Sequence, residues 1–274
     1  MRPLIVCRGP KLHSFGLLAL ISCMLLAFTA CGTPGSTLGT PAAKSNAVPL
    51  NSSKSPSILL FVGKGTSSSD VSAVEAILSD NNLSYATATS SQLNGMSQST
   101  LETYKLLIVP GGNSITIGNN LHSATTTNIH NAVINGGLHY LGICAGGFFG
   151  GYSIYNGLNL TNGVWFNFYA DYNKGIHKEA VEVSSPNASP LDQYWQDGPQ
   201  FTGWGSIVGK YPDGTPAIVE GTSGKGWVML SGVHPEAPAS WRTGMTFTTS
   251  VATDNAYAGT LINAALNGTS LAHY

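Results

Sequence analysis

Three residue types at telling positions open the case: Cys144, His234 and Glu236. Cys144 lies in Gly142-Ile143-Cys144-Ala145-Gly146-Gly147, where a buried-type strand runs into a helix. A nucleophile at such a turn is held on a strained, exposed corner. Glycines flank it because a side chain there would collide with the neighbouring strand. The start of the following helix favours a thiolate, and the Ala145 N–H is one natural oxyanion donor. A second donor is expected from Gly111 or Gly112, in the loop Pro110-Gly111-Gly112 that ends the adjacent strand. A thiolate needs a base, and the base an orienting acceptor. Of the seven histidines, only His234 has the neighbourhood for it, just past the apolar run Val228-Met229-Leu230. Glu236 follows in His234-Pro235-Glu236, where the proline stiffens the turn. That spacing lets the carboxylate reach the ring nitrogen turned away from the sulfur.

Cysteine usage sharpens this reading. Cys7, Cys23 and Cys31 fall in the first part of the chain, which leaves Cys144 as the single thiol of the folded part. One cysteine builds neither a disulfide framework nor a Cys-based zinc site. His122, His130, His139 and His177 lack ligand-like spacing and are expected as surface or core residues, so no metal or cofactor is implied. Gly221-Thr222-Ser223-Gly224-Lys225-Gly226 lacks the ending of a phosphate loop and reads as a hairpin turn. Tyr194, Trp195, Phe201 and Trp204 read as core or pocket wall.

The elements that must position these groups follow from periodicity. Ser57 to Val62, Lys105 to Val109 and Leu138 to Ile143 are short apolar runs of the kind buried on both faces of a sheet. Val71, Val74, Ile77 and Leu78 fall at helical spacing behind a cap at Ser69 or Asp70. A strand near Ser84 to Ala88 and a helix over Thr125 to Ile134 complete an alternation that predicts a parallel sheet covered on both faces. Beyond about Gly157, Glu179 to Val183, Ile207 to Tyr211, Ala217 to Glu220 and Trp227 to Leu230 read as strands joined by turns. They predict an antiparallel C-terminal extension of the same sheet, followed by a helix over Ala256 to Ala265.

Bulk properties set the context. The 274 residues carry a net charge of −1, with 42% apolar and only 9% charged residues, against about a quarter charged in an average domain. A nucleic-acid partner needs a concentrated basic face, and none is encoded. Arg2, Arg8 and Lys11 precede an uncharged apolar run from Phe15 to Ala30, too short for a spanning helix of about twenty residues and typical of a secretory signal. The run ends Leu26-Ala27-Phe28-Thr29-Ala30-Cys31, which resembles a bacterial lipobox with Phe28 in the place usual for Leu. The resemblance implies lipidation at Cys31, and the alternative is a signal peptide cut near Ala30. The Gly, Pro, Ser and Thr-rich stretch that follows buries too little to fold and reads as a tether. The expected organisation is a signal over 1–30, a tether over 31–56 and a globular domain over 57–274. The expected address is the cell envelope, with the membrane as a partner through the anchor.

Val109-Pro110-Gly111-Gly112, Gly142-Ile143-Cys144-Ala145-Gly146-Gly147 and His234-Pro235-Glu236, in that order, resemble the class I glutamine amidotransferase-like fold. More narrowly, Phe61-Val62-Gly63-Lys64-Gly65-Thr66-Ser67, Asp197-Gly198-Pro199-Gln200-Phe201 and Gly224-Lys225-Gly226 through Glu236 resemble the domain at the amino terminus of biotin-protein ligases. The resemblance covers about residues 57 to 266. It implies an α/β, flavodoxin-like three-layer sandwich with Cys144 as nucleophile, His234 as base and Glu236 as its orienter. It departs at Phe148, where glutamine-using members carry a glutamine that helps hold the substrate. Two functions are expected to compete: cleavage of a small amide or peptide bond through a thioester, and non-catalytic binding of a small molecule or peptide in the same cleft.

Overall fold

The computed structural model describes residues 56–274. The expected signal, Cys31 and all but the last residue of the expected tether lie outside the described residues. Among the described residues, no helix is long and apolar enough to cross a membrane.

In chain order, the first half contains β1 (Ile58–Phe61), α1 (Ser68–Asp80), β2 (Tyr85–Ala88), α2 (Ser90–Asn94), α3 (Gln98–Leu101), β3 (Leu106–Val109), α4 (Ser114–Asn119), α5 (Ser123–Ile134), β4 (His139–Ile143) and α6 (Ala145–Gly150). The second half adds β5 (Asn167–Phe168), β6 (Lys178–Val183), β7 (Leu191–Gln196), β8 (Pro199–Gln200), β9 (Ser206–Lys210), β10 (Pro216–Ser223), β11 (Gly226–Ser231) and α7 (Val251–Asn267). One seven-stranded sheet runs β2-β1-β3-β4-β11-β10-β9. The pairs from β2 to β11 are parallel, and β10 pairs antiparallel with both β11 and β9.

Every residue of β1 and of β3 is buried, as continuous apolar runs require when both faces are covered. Alternation along β1 sorts them into two layers. Ile58 and Leu60 pack with Val74, Ile77 and Leu78 of α1 and Leu261 and Ile262 of α7. Leu59 and Phe61 face the other way, onto Leu93, Leu101, Ile117, Ile129 and Phe149 of α2 to α6. The three-layer α/β sandwich expected from the sequence is the observed fold.

Three expectations change. Helix α1 is capped by Ser67, whose side chain accepts from the Asp70 N–H, so Asp70 sits inside the first turn and its carboxylate is free for other work. The C-terminal strands do not all extend the sheet antiparallel: β11 enters it parallel, beside β4. The predicted strand Glu179 to Val183 lies outside the main sheet, because β6 pairs only with β7 in a separate two-stranded sheet. That strand has a mixed burial pattern, which suits a flap and not a doubly covered centre. β7 itself was not expected from the sequence.

Candidate functional site

The strand order reverses direction at β1 and β3, and ligands in such sheets bind outside the carboxyl ends of the strands at that point. The loops leaving β1 and β3 meet there, bridged between Thr66 and Gly112. Cys144 follows β4, and His234 follows β11, the strand paired next to β4. Neighbouring parallel strands therefore bring together residues far apart in sequence.

Cys144 adopts φ 50° and ψ −104°, a region that L residues other than glycine rarely enter. The turn is held because the Cys144 N–H donates to Ser231 O at 2.7 Å and α6 packs hard against β3. A Cβ on Gly146 would lie 1.9 Å from Val109 O, which is why a residue without one is needed there. The strained corner of the sequence reading is observed, but it is not exposed: Cys144 is 6% accessible. Its sulfur lies 3.5 Å from the Gln196 carbonyl oxygen, with the His234 imidazole beside it.

His234 is buried and held from several sides. Its backbone N–H donates to Tyr194 O at 2.8 Å. Its Nδ1 lies 2.9 Å from Glu236 Oε1, which leaves the other ring nitrogen for the sulfur. Burial works against the charged ring, but the Cys144 thiolate and the Glu236 carboxylate outweigh it. Their charges and hydrogen bonds hold the His234 pKa well above its usual range. The other Glu236 oxygen, Oε2, is buried with no hydrogen-bond partner among the described residues.

The glycine loop serves the site by making room. A Cβ on Gly111 would lie 1.9 Å from Asp70 Oδ1 and 2.7 Å from His234 Cε1. Gly112 has φ 142° and lines the cleft. Its N–H has no intramolecular acceptor among the described residues. The Ala145 N–H opens α6, where no intrahelical acceptor exists.

Above Cys144 lies a cleft of about 650 Å³, within the range of small-molecule sites. Ser67, Ser69 and Asp70 form one wall, Lys178, Tyr194, Gln196 and Asp197 another, and Ser240, Trp241 and Thr243 a third. Trp241 stands edge-on to His234 with centroids 5.6 Å apart, and Tyr194 lies 5.3 Å from Trp241.

Several of these residues escaped the sequence reading. Asp70, with Oδ1 3.4 Å from His234 Nδ1, reads in the sequence only as a cap. Its signal was its place at the first helix after the first parallel strand, where a switch point forms. Gln196, Lys178 and Trp241 carried no local signal. Tyr194 is pocket wall, whereas Trp195 on the opposite face of β7 is fully buried, its indole N–H donating to Gly198 O at 3.2 Å. Phe148, at the place of the family's glutamine, packs edge-on to Phe168 and is not among the cleft residues. His130, His139 and His177 bond to Leu158 O, Ala265 O and Asp197. The Gly221 to Gly226 segment closes the β10–β11 hairpin.

The fold is an α/β sandwich similar to glutamine amidotransferase-like folds. Within that class, residues 56–175 match the family model described as the N-terminal part of biotin-protein ligase, so the resemblance read from the motifs holds. The matched segment includes Cys144 and stops short of His234. PurLQS from Thermotoga maritima is similar over 76% of this chain and 98% of its own, at 17% identity and a TM-score of 0.52. That likeness shows the fold alone. A glutamine amidotransferase from Thermotoga maritima matches at 13% identity over 78% of this chain and 89% of its own, with a TM-score of 0.43. The exo-β-1,4-mannosidase Op5Man5 from an Opitutaceae bacterium matches at 13% identity over 74% of this chain and 35% of its own, with a TM-score of 0.47. These two are too loose to bear on function. No curated protein matches the chain significantly.

Proposed function

We propose that this protein is an exported, lipid-anchored hydrolase that cleaves a small amide or peptide bond with Cys144 as nucleophile. The observation that carries the reading is the backbone of Cys144, a non-glycine residue at φ 50° beside a histidine whose other face is held by Glu236 at 2.9 Å. Strain of this kind persists only where the surroundings enforce it, and it clusters at functional sites.

In the proposed reaction the Cys144 thiolate attacks the carbonyl carbon, and the oxyanion meets the N–H groups of Ala145 and Gly112. The C–N bond then breaks as His234 gives its proton to the leaving amine, which leaves a thioester. Water, deprotonated by His234, attacks the thioester. The acid departs and the thiolate returns. Glu236 keeps the ring oriented and supports its charge throughout. Cys31 carries the lipid, and the residues after it tether the domain to the membrane of the cell envelope.

Iodoacetamide tests the active thiol. At neutral pH it should alkylate Cys144 faster than a free model thiol, because the thiolate is the reacting form. His234→Ala should slow the reaction strongly and Glu236→Gln less so. A thioester should also be trapped with an amide or ester substrate. The rival reading is a binding module in which the triad is inert. Slow alkylation indifferent to His234 establishes that reading instead.

A further inference from the structure

The buried groups around His234 carry more negative charge than the triad uses. Asp70 is 8% accessible and Glu236 2%. Against these two carboxylates stands one imidazole, which Cys144 also engages. No lysine or arginine reaches them: among the cleft residues the only such cation is Lys178, exposed on β6. Both carboxylates are also short of partners. Asp70 has only long contacts, 3.4 Å to His234 Nδ1 and 3.4 Å from the Ser69 hydroxyl. Glu236 Oε2 has none among the described residues. A buried carboxylate left this way is costly unless a cation completes it.

Two features mark Asp70 as built into the site and not merely near it. Gly111 lacks the side chain that would overlap Asp70 Oδ1, so the loop is shaped around that carboxylate. Trp241 and Tyr194 line the same cleft as Asp70, their rings 5.3 Å apart, and aromatic side chains suit a cation as neighbour.

We propose that Asp70 binds the free ammonium group of a short peptide, so that the site acts on the amino-terminal residue of a dipeptide-sized, zwitterionic substrate. The inference rests on the reading of Cys144 as the nucleophile. Asp70 and Cys144 flank one imidazole, and the α-ammonium of an amino-terminal residue adjoins the carbonyl that would be attacked. The peptide's carboxylate then falls to Lys178 on the β6–β7 wall. A cleft of about 650 Å³ holds such a molecule. The competing occupant is a metal ion, since ligand atoms of Asp70, His234 and Glu236 lie within 4.8 Å of one another. The ring argues against it, because Nδ1 is engaged by Glu236 and a metal needs that lone pair.

Binding is measured on the full chain in detergent carrying Cys144→Ala, so that turnover cannot intrude. A mixed panel of free dipeptides that includes L-alanyl-L-alanine is compared with the same peptides N-acetylated. The free forms should bind at least about tenfold more tightly, as expected for loss of a desolvated charge pair. Adding Asp70→Asn should erase that ratio. If Asp70 only positions His234, the substitution weakens both forms alike and the ratio survives, which overturns the proposal. It is equally overturned if no free dipeptide binds, if acetylation has no effect, or if Zn²⁺ binds in an Asp70-dependent way and excludes the peptides. The Cys144 enzyme separates the two readings. Peptides that bind with the expected ratio but are never cleaved leave the contact of Asp70 with the ammonium standing and remove both the hydrolase and the action on the amino-terminal residue. Cleavage with equal preference for acetylated peptides does the reverse.

Discussion

At the residue scale, the site depends as much on what is absent as on what is present. Gly111 contributes no side chain, and that absence admits Asp70 Oδ1 and the His234 ring to the same space. Gly111→Ala places a methyl group 1.9 Å from the carboxylate, so one of the two must move. Overpacking of this kind costs about 1–3 kcal/mol. The expected outcome is a stable fold with a displaced imidazole, read as Cys144 alkylation slowed towards the rate of His234→Ala while the protein stays folded by circular dichroism. An unchanged alkylation rate would refute the packing argument. The identity of Cys144, His234 and Glu236 was legible in sequence because local context singled out each one. Asp70 was not, since a Ser-Ser-Ser-Asp run offers several equivalent caps and only the folded turn shows that Ser67 takes the role.

At the element scale, the β6–β7 pair decides how the cleft is closed. It brings Tyr194, Gln196 and Lys178 to the site, with the Gln196 carbonyl oxygen 3.5 Å from the Cys144 sulfur. Behind it, Glu179 on β6 meets Asp171, which is ion-paired to Lys174. Burial first, then the hydrogen bond and charge of Asp171, raise the Glu179 pKa from 4.5 to about 7, with Lys174 opposing. Between those two values the folded chain holds a proton that the unfolded chain has released. This contribution to stability is therefore complete below 4.5 and is lost as the pH rises through about 7. Glu179→Gln keeps the shape without the titration. Its denaturation midpoint should match the native protein's at about pH 5 and exceed it at about pH 8. Midpoints that stay parallel across that range would show that the pair does not titrate in the folded state.

At the scale of the whole molecule, several of the few charged side chains are buried and pin elements together. Glu220 is fully buried on β10, where it accepts from Leu271 N–H at 2.7 Å and from the Ser270 hydroxyl at 2.8 Å. This fastens the segment after α7. Arg242 pairs with the buried Asp254 of α7, and so fixes the turn Ala239–Arg242 that presents Trp241 to the cleft. The proposed anchor belongs to this scale as well. Cys31→Ser should shift the protein from the membrane fraction to the soluble fraction, and unchanged detergent partitioning would remove the lipid from the account.

The residues alone were enough to foresee the parallel core and to single out the three side chains that the proposed reaction uses. Continuous apolar runs such as Leu106–Val109 can only be buried on both faces, and glycines around a lone cysteine restrict what that corner can be. Both are local constraints, visible within a few residues. Tertiary structure decided the rest. The place of β11 beside β4, the separation of β6 and β7 from the main sheet, and the meeting of Asp70 with His234 all depend on contacts between distant segments. Strand propensity does not say which partner a strand takes, since hydrogen-bonding edges are chemically alike and packing alone chooses among them. The surplus of buried carboxylate beside His234 is a property of that packing, and no stretch of the chain read alone contains it.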